Sequence, residues 1–229
     1  MNFNLKNRTI VSYQDLMPIT SQDIQDEMID VRSYDPSIIA QYAKTDMLPY
    51  TGETIVVRTT VAKKLAAVNQ ALASLKLRLK IEYGYRHPDI QQMYFDRQRA
   101  LLKQASPLLS DDELDAATHM YVAVPAVAGH PTGGAVDLTL ADESGAALDM
   151  GTAIADFTNP KIQTFSSGLS DVQQRNRKLL CDVMTRQGFV PFYGEWWHFS
   201  YGDREWAVLY NQPQALYSPI EFKKVNLIS

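Results

Sequence analysis

The chain has one cysteine, four histidines, no dense run of lysine and arginine, and no apolar stretch of membrane-spanning length. A lone Cys181 cannot form an internal disulfide, and no cysteine cluster exists to build a thiolate zinc site. Within Leu179-Leu180-Cys181-Asp182-Val183-Met184 it reads as a small buried apolar residue. A formal net charge of −4 without a basic patch argues against nucleic acid or an anionic membrane as the main partner. The missing apolar run excludes insertion of a helix into a membrane. Met1 to Ile10 carries Asn and Lys but no apolar h-region, so no secretory signal is expected. With the single cysteine, that makes the cytoplasm the expected setting. Internal repeats and low-complexity segments are also missing.

What is present is ordinary globular composition: 229 residues, 45% apolar and 21% charged, enough for one domain with a full core. Residues 1–55 show no clean period, and Pro18, Pro36 and Pro49 interrupt them, so they read as an arm wrapping the domain. Residues 60–201 carry the periodic patterns of the core, and 202–229 form a tail. Val61, Leu65, Val68, Leu72 and Leu75 recur at three- and four-residue steps and predict a helix. Leu77, Leu79, Ile81 and Tyr83 alternate with polar residues and predict a half-buried strand that runs into Gly84-Tyr85-Arg86-His87-Pro88. A helix is expected from Asp89 to about Gln104. Ser110-Asp111-Asp112-Glu113 and Ser170-Asp171-Val172-Gln173 have capping-box form and predict two further helix starts, the second helix stopping at Gly188. Val136, Leu138 and Leu140 share one face of a strand, Asp137 and Thr139 the other. Ser144-Gly145 predicts a hairpin tip, with Ala147 to Met150 as the returning strand. A long connection to about Leu169 suits a lid or site wall. Phe189 to Tyr201 reads as an aromatic strand.

The most unusual stretch is Gly129-His130-Pro131-Thr132-Gly133-Gly134-Ala135-Val136-Asp137, which sets a His and an Asp around two glycines. Far downstream, Glu195-Trp196-Trp197-His198 places a Glu and a second His in a tryptophan-rich run. Catalytic zinc takes three His or carboxylate ligands and keeps a position for water. His130, Asp137 and His198 meet that count, so the expectation is one zinc ion per chain. Glu195 is the candidate to take a proton from the water. Arg86, at a strand end, is a candidate to stabilise an oxyanion. Gly129, Gly133 and Gly134 are expected to let backbone pass close to ion or substrate. On a regular strand Glu195 and His198 would point to opposite faces, so a bend is needed near Gly194. His87 and His119 are assigned no role, and Trp196 and Trp197 read as core and rim packing.

These residues resemble a known family. His130-x-x-Gly133-x-Ala135-x-Asp137 followed by Glu195-x-x-His198 looks like the zinc D-alanyl-D-alanine dipeptidases, which stand beside the zinc D,D-carboxypeptidases. Gly84-Tyr85-Arg86, Met150-Gly151-Thr152 and Arg175-Asn176-Arg177 fit as well, and the match spans roughly Thr60 to Ser200. The resemblance implies an α+β fold of the hedgehog/D,D-peptidase-like type, a central antiparallel sheet flanked by helices. It implies His130, Asp137 and His198 as zinc ligands, Glu195 as general base and Arg86 as transition-state stabiliser. Asp156, Tyr85 and Trp197 are the candidate substrate contacts. Three positions depart from the pattern: Ala128 stands where Ser is usual, Asp156 falls one place late after Met150-Gly151-Thr152, and Tyr83 stands where Asp is frequent. The implied substrate is a small D-amino-acid dipeptide, D-alanyl-D-alanine first. The alternatives are a D,D- or L,D-carboxypeptidase or endopeptidase on peptidoglycan stem peptides, and a non-catalytic zinc-binding recognition module.

Overall fold

The computed structural model describes residues 10–223; residues 1–9 and 224–229 lie outside it, and with them the start of the expected arm and the end of the expected tail. The arm contributes short pieces: α1 (Tyr13–Leu16), β1 (Met28–Asp30), β2 (Ile39–Ala40) and α2 (Leu48–Thr51). Next come β3 (Val56–Arg58), α3 (Thr59–Ala73) and β4 (Leu77–Tyr83), then α4 (Pro88–Ala105) and α5 (Asp111–His119). The last half holds β5 (Ala135–Asp142), α6 (Asp171–Arg186), β6 (Val190–Pro191), β7 (His198–Ser200) and α7 (Arg204–Leu209).

Local chemistry sets the boundaries. Both capping boxes form: Ser110 Oγ accepts from Glu113 N and Ser170 Oγ from Gln173 N, each with the reciprocal bond. His87 caps α4, its Nδ1 accepting from Asp89 N at 3.2 Å, and Pro88 occupies the first turn where no N–H is missed. Gly188, with φ +84°, follows α6 in the left-handed conformation expected after a helix end. Val61, Leu65, Val68 and Leu72 of α3 are fully buried against Leu79, Ile81, Leu138 and Leu140. Each such side chain contributes roughly 1.5–3 kcal/mol of burial free energy.

The main sheet has the order β2-β4-β5-β7-β6. Its pairs are antiparallel except β2 with β4, where Ile39 lies beside Lys80 in parallel register. The sheet is therefore mixed rather than wholly antiparallel, because two residues of the arm add an edge strand. A separate antiparallel ribbon joins β1 to β3. Two expected strands differ. After the tip at Gly145 only Ala147 bridges back, to Ala141, because Asp149 turns away to accept bonds from Gly151 N and Gln173 Nε2. The expected strand from Phe189 to Tyr201 is broken into β6 and β7 by turns over 192–197, where Trp196 N donates to Ile162 O instead.

A bulge in β4 decides which face carries chemistry. Ile81 pairs with Leu138, yet Tyr83 pairs with Asp137, which leaves Glu82 as the extra residue. Directly paired residues share a face, so Tyr83 is turned from the face of Ile81 to the face of Asp137. One sheet face, with Ile81, Leu138 and Leu140, takes α3 and α6; the other presents Tyr83, Asp137 and, through its pairing with Asp137, His198. The long connection after Met150 is tied down by buried Arg177, which donates to the carbonyls of Met150, Lys161 and Gln163. No helix among the described residues is long and apolar enough to cross a membrane.

Candidate metal centre and active site

Asp137 stands in mid-β5, and His198 opens β7 directly opposite it. His130 opens a 3-10 turn, His130–Thr132, whose end at Gly133 has φ +74° and returns the chain into β5. Residues 68 positions apart in sequence thus meet through strand register and one tight turn. Asp137 Oδ1 lies 3.0 Å from His198 Nδ1, and Asp137 Oδ2 lies 3.3 Å from His130 Nε2. One donor atom from each of the three lies within 4.8 Å of the others. All three expected ligands are therefore brought together.

The imidazole of His130 is oriented from behind. Its Nδ1 is 2.7 Å from the carbonyl of Gly84, so Nδ1–H donates and Nε2 is left facing Asp137. Arg86 N donates in turn to His130 O at 3.2 Å, tying the Gly84-Tyr85-Arg86 segment to the His130 turn. The three glycines act differently from expectation. A Cβ on Gly129 would meet Asp203 Oδ2 at 2.3 Å, one on Gly133 Met28 Sδ at 2.6 Å, and one on Gly134 Tyr201 O at 2.4 Å. Each admits a close protein neighbour, and Gly129 also lines the cavity described below.

The charges follow from burial. Burial lowers His130 to about 4, against the pull of Asp137. Burial also opposes charge on His198, but its bond to Asp137 and the nearby carboxylates raise it to about 9. Asp137, although buried, is held well below the carboxylate range by His130 and His198. Glu195 is raised to about 7, first by burial and then by Asp137, with its side chain bonded to that of Trp197.

A cavity of about 400 Å³ opens onto this group. Glu195, Arg86, Asp137 and both histidines line it. Its other walls include residues of the arm (Val11, Leu16, Lys44), β4 (Glu82, Tyr83), α4 and the segment after α5 (Tyr94, Tyr121), the long connection (Ile154, Phe157), and α7 (Glu205). Arg86 Nη1 donates to Gln91 Oε1 at 2.9 Å, while its Nε is buried with no partner in the structure. Trp197 touches the cavity wall, but it is only 1% exposed and its bond goes to Glu195.

Two expected substrate contacts are elsewhere. Tyr85 is fully buried, its hydroxyl donating to Ile220 O at 2.7 Å and accepting from Phe222 N at 2.8 Å. Two residues past the end of β4, Tyr85 is held by the tail and does not line the cavity, which corrects its assignment as a substrate contact. Asp156 is not among the cavity-lining residues, and its carboxylate takes the Thr158 hydroxyl at 2.7 Å. Ala155, with φ +58°, turns the backbone so that Ile154, Ala155 and Phe157 face the cavity instead. Reading the sequence missed Lys44, Glu82, Tyr94 and Glu205 in the lining. Burial and the neighbouring Asp203 raise Glu205 to about 8. Asp203, the N-cap of α7, accepts from Trp206 N; an Asp before a short apolar run was the available signal for that helix.

A family model described as D-ala-D-ala dipeptidase, of the M15 peptidases, matches residues 26–218. A D-alanyl-D-alanine dipeptidase of Synechocystis sp. is 32% identical over 181 residues, covering 69% of this chain and 73% of that one. One from Escherichia coli is 44% identical over 70 residues, covering 31% of this chain and 36% of that one. A solved structure of a mutant of the vancomycin resistance D,D-pentapeptidase VanY, in complex with Zn(II), is 17% identical with a TM-score of 0.47, covering 91% of this chain and 95% of that one.

Proposed function

This chain belongs to the D-ala-D-ala dipeptidase family of metallopeptidases, and from that premise we propose that it hydrolyses a small D,D-dipeptide, D-alanyl-D-alanine first, at the cavity above Asp137. In this reading His130, Asp137 and His198 hold one zinc ion. The donor set fits: two imidazoles and a carboxylate are zinc ligands, and His130 Nε2 is pre-oriented by Gly84. A zinc ion there supplies Lewis acidity, polarising a carbonyl and lowering the pKa of water to roughly 7.

The protein's own groups divide the remaining work. Glu195 takes a proton from the attacking water on its carboxylate and returns it to the amine nitrogen as the C–N bond breaks. Trp197 holds Glu195 in place and keeps bulk water from it. Arg86 donates to the oxygen that gains charge when the carbonyl is attacked, and its unpaired Nε is a donor free for that purpose. Walls drawn from the arm, the long connection and α7 limit the cavity to about 400 Å³, which favours a short substrate over a long stem peptide.

The observation that carries the proposal is the meeting of three donor atoms within 4.8 Å in a cavity that also holds Glu195 and Arg86. It is tested with D,D, L,D and L,L alanyl-alanine and a stem peptide ending in D-Ala-D-Ala, on zinc-loaded and chelated protein. The D,D dipeptide is expected to turn over roughly a hundredfold faster than the L,L form, and only with zinc. Faster cleavage of the stem peptide, or turnover untouched by chelation, would sink the reading.

A further inference from the structure

Arg86 is seated by groups that play no part in the proposed reaction. Its guanidinium carbon lies 4.7 Å from the centre of the Tyr83 ring and 5.3 Å from that of Tyr94. Its side-chain hydrogen bonds run to the amide of Gln91 and to Tyr83. Gln91 is itself fixed by the Ala123 carbonyl at 2.8 Å. These bonding partners are neutral, so the cation is held by ring faces and dipoles.

Ring faces alone are a loose seat, because a tyrosine ring can swing about its side-chain torsions. Here both rings are anchored at the far end. Tyr83 Oη donates to Asp46 Oδ2 at 2.8 Å and Tyr94 Oη donates to the same oxygen at 2.5 Å. One carboxylate oxygen thus fixes the mutual angle of the two rings. Asp46 lies in the arm, 37 and 48 residues from the tyrosines it joins. Its other oxygen, Oδ1, is buried with no partner in the structure. A partly buried carboxylate with one oxygen shielded and unpaired is a costly arrangement for stability alone. The expense has a use if the rings must hold still.

We propose that Asp46 is a positioning residue for the hydrolysis: through the Tyr83 and Tyr94 hydroxyls it locks a two-ring seat that aims Arg86 at the reacting carbonyl. The bulge at Glu82 is what turns Tyr83 to this side, so strand irregularity, arm and cation form one device. The proposal rests on the reading that Arg86 acts on substrate oxygen.

The test uses the zinc-loaded full chain and D-alanyl-D-alanine. Asp46→Ala and Tyr94→Phe are each expected to lower kcat about tenfold while KM stays within about twofold. In an Arg86→Ala background the same changes are expected to alter kcat by less than about twofold, since they act only through Arg86. Equal losses in both backgrounds, or unchanged kcat in the parent, would overturn the proposal. Tyr94→Phe keeps the ring and decides the matter should Asp46→Ala fail to fold. Nitrogen-15 relaxation of the Arg86 Nε–H, assigned by its loss in Arg86→Ala, reads the seat without turnover. The signal is expected to be rigid in the parent and mobile in both variants; a rigid signal in the variants contradicts the seat whether or not the dipeptide is the substrate.

Discussion

Glu195→Gln is expected to keep zinc at one ion per chain and to lower kcat roughly a hundredfold to ten-thousandfold, the range that proton transfer by a positioned side chain contributes. The amide preserves the volume and can still meet the Trp197 side chain, but it cannot carry the proton. Glu195 lies in the turns over 192–197, outside the three-residue donor group, so metal content is a clean control. Zinc titration beside steady-state kinetics checks it. Retained turnover would remove Glu195 from the mechanism, and lost zinc would make it a ligand.

His198→Ala is the second large effect. Its imidazole is bonded to Asp137 Oδ1 at 3.0 Å and faces it across β5 and β7. Removing it is expected to abolish zinc binding and turnover together. Without metal the variant also leaves buried Asp137 short of a partner, and such a loss costs about 3–5 kcal/mol. Denaturant unfolding with and without zinc separates the two parts. The parent is expected to gain stability with zinc, because a ligand that binds only the folded state shifts the unfolding equilibrium. The variant is expected to gain none. Full zinc occupancy in His198→Ala would show that the third ligand has been misassigned.

The donor residues were legible because rare residue types stand in unusual company: two of four histidines fall in a glycine-rich turn and a tryptophan-rich turn. Helices with strong periods, such as α3, and those with capping boxes, such as α5 and α6, were legible for local reasons. The arm was not, because its pieces are short and gain order only from distant partners, as Ile39 does beside Lys80. The seat of Arg86 was hidden for the same reason. Nothing near Asp46 in the chain announces two tyrosines 37 and 48 residues away. Tyr85 was misread because the groups that hold its hydroxyl, Ile220 O and Phe222 N, lie 135 and 137 residues downstream, and nothing beside Gly84 in the chain announces them. The break between β6 and β7 depends on Trp196 N bonding to Ile162 O and Thr164 N bonding to Tyr193 O, contacts with a loop that has no period of its own.

Crystals of the zinc-loaded protein, measured on both sides of the zinc absorption edge, would examine the convergence itself. A single anomalous peak per chain is expected within bonding distance of His130 Nε2, an Asp137 oxygen and His198 Nδ1. A peak held by other side chains, or none at that meeting point in protein that turns over the dipeptide, would contradict it.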